Sequence, residues 1–133
     1  MKTLTKWKHD QVFESQQEGI AQTTMADGNR KEGPGPKSLL LYALAGCTGI
    51  DVVDVLKKMR VQFSDFTIDV ETEQTSEHPK VFKDIFVIYS IRTDPSNEDR
   101  VKKAIDLSLD KYCGVSAMLK KNSSIHYKLQ LIK

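Results

Sequence analysis

Cysteine is scarce in this chain, with two in 133 residues. That is too few for a disulfide scaffold or for a four-ligand zinc site. The three histidines, His9, His78 and His126, stand far apart and set no metal-ligand spacing, so no metal is expected. An excess of one charge sign is also missing. Twenty Lys and Arg against eighteen Asp and Glu leave a net charge of +2, and no basic stripe is interleaved with aromatics. No nucleic-acid partner is expected on that pattern. No carboxylate pair and no Ser/His/Asp arrangement stands out, which argues against a hydrolase. The opening MKTLTKWKHDQVF has no apolar run of signal length and no small-residue cleavage site. The longest apolar stretch, residues 38–50, is broken by Gly46 and Gly49 and is short for a bilayer span. A cytoplasmic protein away from the membrane is expected. There a cysteine pair is more often reactive or incidental than structural.

What is present is an ordinary composition, 39% apolar and 29% charged, long enough for a single domain over residues 1–133. The segment 27–37, DGNRKEGPGPK, cannot continue a helix or a central strand and reads as a loop. Before it, residues 4–8, 12–15 and 19–25 read as three short strands, with turns at Asp10 and Gly19. After it, residues 37–60 contain no proline and read as one long helix, with Pro36 at its start. Residues 39–47 are apolar nearly all round, and from Ile50 the pattern becomes amphipathic. So small a domain can hardly cover such a helix alone, whereas a second copy of the same helix could.

Alternation over 66–73 and the apolar residues of 81–91 predict a hairpin turned by SEHPK, the second strand lying centrally. Ser96 and Asp99 resemble a capping box for a helix carrying Val101, Ile105, Ser108 and Tyr112 on one face, Tyr112 reading as a core aromatic. Cys113-Gly114 breaks that helix, a short one follows, and residues 123–133 alternate as a last strand. The order β-β-β-α-β-β-α-α-β is α+β with mostly antiparallel sheet. His78 and His126 both read as surface residues.

Cys47 lies inside Ala45-Gly46-Cys47-Thr48-Gly49 and Cys113 inside Tyr112-Cys113-Gly114. On context alone, each is either a small buried hydrophobe or a reactive thiol. A thiolate nucleophile needs a cation, a helix N-terminus or a hydrogen bond to lower its pKa. Cys47 is about three turns past the helix start, beyond the reach of the dipole. Asp51, one turn on, works in the wrong direction. The cation must come from elsewhere, with Arg30 the preferred candidate and Lys37, Arg60, Arg92 and Arg100 the others.

These residues also carry a resemblance. PKSLLLYALAGCTGIDVVDVLKKMR, with HPKVFKDI and KYCGVSAMLKKN downstream, resembles the OsmC/Ohr family, closest to its OsmC-like branch, over nearly the whole chain. The most specific parts are Ala-Gly-Cys-Thr at Cys47 and KYC-x-VSAML at Cys113, 66 residues apart. The resemblance implies an intertwined homodimer with two long central helices sandwiched by sheets and sites at the dimer interface. It also implies thiol-dependent reduction of organic hydroperoxides. Cys47 would attack the peroxide and Cys113 would resolve the sulfenic acid to a disulfide. An external dithiol, of lipoyl type in the Ohr branch, would then reset the pair with no bound cofactor. Arg30 is the activating cation in this reading. The family's peroxidases place a glutamate just after the loop proline, where this chain has Lys37-Ser38; Glu32 lies a few residues upstream. The alternative implied is a non-catalytic dimeric stress or small-ligand-binding protein on the same fold.

Overall fold

A computed structural model describes residues 1–133. The chain forms two compact units, Met1–Leu41 and Tyr42–Lys133. The boundary falls inside the long helix.

In the first unit, β1 (Thr3–His9), β2 (Val12–Gln17) and β3 (Thr23–Asp27) form an antiparallel sheet in the order β1-β2-β3. Asp10 takes the left-handed conformation, φ 46°, at the first turn, and Gly19, φ 86°, sits in the connection after β2. The loop after β3 is organised by its first residue. The buried Asp27 carboxylate accepts the backbone N–H of Asn29 at 2.8 Å, Lys31 at 3.1 Å and Glu32 at 3.0 Å. The Glu32 amide first, and then that of Asn29, hold the carboxyl below the usual carboxylate range. A lowered folded-state pKa stabilises the loop above the unfolded value of about 4 and ceases to do so as pH falls through the folded one. Amide-exchange protection at Asn29, Lys31 and Glu32 should therefore hold at neutral pH and collapse in strong acid. Protection at the same level on both sides of the transition would contradict this. On the loop's outer side, His9 Nε2 meets Glu32 Oε2 at 3.1 Å.

The second unit is built on β4 (Phe63–Gln74), β5 (Phe82–Thr93) and β6 (Ile125–Ile132), with β5 in the middle. β4 and β5 pair antiparallel, but β5 and β6 pair parallel. A parallel pair needs a long crossover. Here the crossover is α2 (Glu98–Leu107), a π turn (Ser108–Tyr112) and α3 (Gly114–Leu119). On β5, Ile85, Val87, Tyr89 and Ile91 are fully buried, one face of a period-two strand. Val101, Ala104 and Ile105 of α2 are buried too. Each fully buried Ile, Val or Leu contributes about 1.5–3 kcal/mol, so this layer dominates the unit's stability.

The long helix, α1, runs from Pro36 to Lys58 as 23 continuous residues. By length and composition alone it could cross a membrane, because the apolar character continues past Ile50. Its packing is one-sided. Leu44, Thr48, Val52 and Leu56, spaced four apart, form a single buried ridge. Gly49 lies close under β4: a Cβ there would stand 3.1 Å from Ile68 Cδ1, a tight contact that the Ile68 side chain would have to yield to. Gly46 faces open space.

Three local expectations change. Asp94, not Ser96, does the capping: its side chain accepts the Ser96 N–H at 2.9 Å and opens a 3-10 turn, and Asn97 begins α2 without a side-chain cap. The second sheet is mixed. Tyr112 is 54% exposed instead of lying in the core. The π turn explains this, because i+5 bonding rotates later residues off the i+4 face. His78 and His126 are exposed as expected, the latter stacked on Phe86 at 5.2 Å between centroids.

Candidate functional site

Thr48 forces α1 into one orientation. A hydroxyl buried on an apolar ridge must find a partner. Thr48 Oγ1 finds two, Tyr89 OH and Ser108 Oγ, each at 2.7 Å. These contacts fix α1 to β5 and to the end of α2. Cys47 precedes Thr48 and turns toward the crossover, half-exposed.

Cys113 is brought to the same place by the π turn. Its N–H donates to the Ser108 carbonyl at 2.7 Å, the i+5 bond that closes the turn. Its backbone is then extended, φ −76° and ψ 102°, and it caps α3 by accepting the Ser116 N–H on Sγ at 3.3 Å. Ser116 Oγ donates to the Cys113 carbonyl at 2.9 Å. The thiol is buried, 4% exposed.

Residues 66 apart in sequence thus become side-chain neighbours. Burial pushes the Cys113 thiol up, and the hydrogen-bonding Cys47 side chain pushes it further, with the Ser116 amide opposing. Both cysteines are free. The arrangement holds an accessible thiol against an inaccessible, protonated one. Such a pair can be oxidised by two electrons to a disulfide.

The candidate cations are placed as follows. Arg30 lies in the first unit's loop with a left-handed backbone, φ 56°, its Nε near Gly35. Arg92 is held by Asp65 at 2.8 Å and by the Lys133 carbonyl. Arg100 reaches Asn97 Oδ1 at 3.4 Å within α2. Arg60 follows α1, also left-handed at φ 58°. Glu32 is engaged by His9. No cluster of metal-ligating side chains exists.

Ser108 and Tyr89 enter the site without having stood out from the core pattern of the sequence, and Asp51 does more there than act through its charge. Asp51 Oδ2 accepts the Ser108 hydroxyl at 2.9 Å. Burial raises the Tyr89 phenol far above its usual range, so it stays a donor. Tyr127, in edge contact with the Tyr89 ring at 5.9 Å, is raised to about 12, mainly by burial and by its hydrogen bond to Asp106. A serine on the apolar face of the helix expected from Val101 to Tyr112 was the available signal.

Known proteins place this arrangement in context. The chain is 29% identical to the protein YhfA of Escherichia coli over 132 residues, spanning 99% of this chain and 98% of that protein. An OsmC-like protein from Mycoplasma pneumoniae superposes with a TM-score of 0.84 at 16% identity, with 99% of this chain and 96% of that one covered. The organic hydroperoxide resistance protein OhrB of Bacillus subtilis superposes with a TM-score of 0.64 at 15% identity, covering 97% and 96%. At those identities the two structures share the fold. The family model described as OsmC-like protein matches residues 27–128. With most of its length under that match and with this fold, the chain belongs to the OsmC-like family.

Proposed function

We propose that the protein reduces organic hydroperoxides through the Cys47/Cys113 pair. The observation that carries this reading is the asymmetric apposition of two free thiols, Cys47 half-exposed and Cys113 buried. The accessible thiolate attacks the terminal peroxide oxygen, the O–O bond breaks, the alkoxide leaves and takes a proton from water as the alcohol, and Cys47 becomes a sulfenic acid. Cys113 then attacks that sulfur; an S–S bond forms, the S–O bond breaks, and hydroxide leaves with the thiol proton as water. An external dithiol of the lipoyl type completes the cycle. Arg30 is the proposed activating cation. Family relatives named for organic hydroperoxide resistance support the substrate class. A reducing compartment such as the cytoplasm suits two cysteines kept free.

The working unit in this reading is a homodimer, supported by the apolar face that α1 leaves uncovered. A non-catalytic dimeric stress or ligand-binding protein is the second reading, favoured by Lys37-Ser38 standing where the family's peroxidases carry a glutamate.

One experiment separates them. Reduced protein is treated with one equivalent of cumene hydroperoxide or of hydrogen peroxide, and thiol loss is followed with disulfide formation. The peroxidase reading expects both thiols lost per peroxide, faster with cumene hydroperoxide, and no loss in Cys47→Ser. Equal peroxide consumption by parent and Cys47→Ser would defeat it.

A further inference from the structure

Four polar groups form an unbranched line through the core of the second unit. Tyr89 OH meets Thr48 Oγ1 at 2.7 Å, Thr48 Oγ1 meets Ser108 Oγ at 2.7 Å, and Ser108 Oγ meets Asp51 Oδ2 at 2.9 Å. Tyr89, Thr48 and Ser108 are fully buried, and Asp51 is half-buried. The proton order follows from the end group. A carboxylate can only accept, so Ser108 donates to Asp51. Ser108 therefore accepts from Thr48, and Thr48 accepts from Tyr89. The Ser108 hydroxyl has one proton, so its longer approach to the Thr48 carbonyl, 3.5 Å, is not used at the same time.

The line joins the two cysteine-bearing segments. Asp51 and Thr48 belong to α1, and Thr48 directly follows Cys47. Ser108 opens the π turn, and its carbonyl takes the Cys113 N–H. A single residue is thus bonded through its side chain to the Cys47 helix and through its backbone to Cys113. A hydrogen bond to an ionised acceptor is about twice as strong as a neutral one, which makes the Asp51 end the firm anchor.

We propose that Asp51, acting through Ser108, is a positioning residue for the resolving step. It holds the π turn so that the Cys113 thiol stays against Cys47, and it takes no part in the attack on peroxide. The inference rests on the peroxidase reading for its role, but its geometric content concerns disulfide closure by any oxidant.

The test uses the full-length protein with Ser108→Ala, Ser108→Thr, Asp51→Ala and Asp51→Asn. After one equivalent of cumene hydroperoxide in the presence of dimedone, mass spectrometry reads the partition of Cys47 between dimedone adduct and disulfide. Losing one charge-assisted hydrogen bond should shift this partition toward the adduct by about tenfold or more in Ser108→Ala and Asp51→Ala. Asp51→Asn, with a neutral acceptor, should fall between them and the parent. Ser108→Thr, which keeps the hydroxyl, should restore disulfide closure. The rate of first thiol loss should not change in the Ser108 variants and should not fall in the Asp51 variants, which lose a carboxylate one turn from Cys47. A parallel titration against reduced and oxidised glutathione reads the Cys47–Cys113 equilibrium without peroxide, and the same variants should weaken disulfide formation in the same order. An unchanged partition and unchanged equilibrium overturn the proposal, as does equal slowing of first thiol loss in every variant. Normal glutathione behaviour with no reaction toward peroxide would instead defeat the peroxidase reading and leave the positioning role standing. Should Ser108→Ala not fold, the half-buried Asp51→Asn is sufficient to decide between these outcomes.

Discussion

Cys113→Ser should leave Cys47 as a sulfenic acid after the first peroxide, where the parent closes a disulfide. In the parent without added reductant, one peroxide removes two thiols and leaves a disulfide. In the variant, Cys47 still reaches the sulfenic acid but has no thiol beside it. A second peroxide then carries it to the sulfinic acid, which is not reversed by ordinary thiols. The expected record is one thiol lost, a dimedone-reactive intermediate, and growth of the +2-oxygen species with excess peroxide. The substitution is mild toward the fold. Cys113 caps α3 by accepting the Ser116 N–H on sulfur, and serine is a stronger N-cap than cysteine. A well-folded variant that still turned over in stoichiometric disulfide fashion would mean that Cys113 is not the resolving residue. The direction of the Cys113 shift agrees with its assigned role. A thiol kept protonated by burial is a poor first attacker, which leaves the attack on peroxide to Cys47.

The parts of this site that could be read from the residues are those fixed by local pattern. The long helix was legible because 22 residues after Pro36 lack proline and carry apolar side chains at helical spacing. β5 was legible as a central strand because its apolar run has no solvent period. The pairing of Cys47 with Cys113 was not readable from spacing, since nothing local links residues 66 apart; only the resemblance suggested it. The π turn was also hidden. Its i+5 bond starts at Ser108, whose side chain is held by Thr48 and Asp51 on α1, tertiary contacts with no signature in α2 itself. Tyr112 was misplaced for that reason. The parallel β5–β6 pair had a readable clue that composition-level reasoning passed over. About thirty residues of helical sequence between two strands are a crossover length, far longer than a hairpin needs.

Ile50→Glu should turn a dimer into a monomer. The buried ridge of α1 uses Leu44, Thr48, Val52 and Leu56, which leaves the rest of a strongly apolar helix uncovered. Ile50 is 65% exposed, Tyr42 63% and Leu40 47%. Ala45, Gly46, Gly49, Val53 and Phe66 line a shallow groove beside Ile50, and apart from its own stretch of helix nothing lies within 4 Å of where a Gly46 Cβ would stand. Small residues in such a row admit the backbone of another helix. A membrane would also cover apolar side chains, but the same helix commits Thr48 and Asp51 to the polar line through the core. In a two-fold interface each substitution acts twice. Losing two buried Ile side chains removes about 3 kcal/mol or more before any cost of burying carboxylates, so Kd should rise by at least about a hundredfold. Light scattering at micromolar concentration should then give the mass of two chains for the parent and one for the variant. A parent that is monomeric in buffer and floats with lipid vesicles would reverse the assignment of this face. If the dimer also completes the site, Ile50→Glu should lower peroxide turnover while the Cys47–Cys113 disulfide still closes under glutathione, because both cysteines belong to one chain.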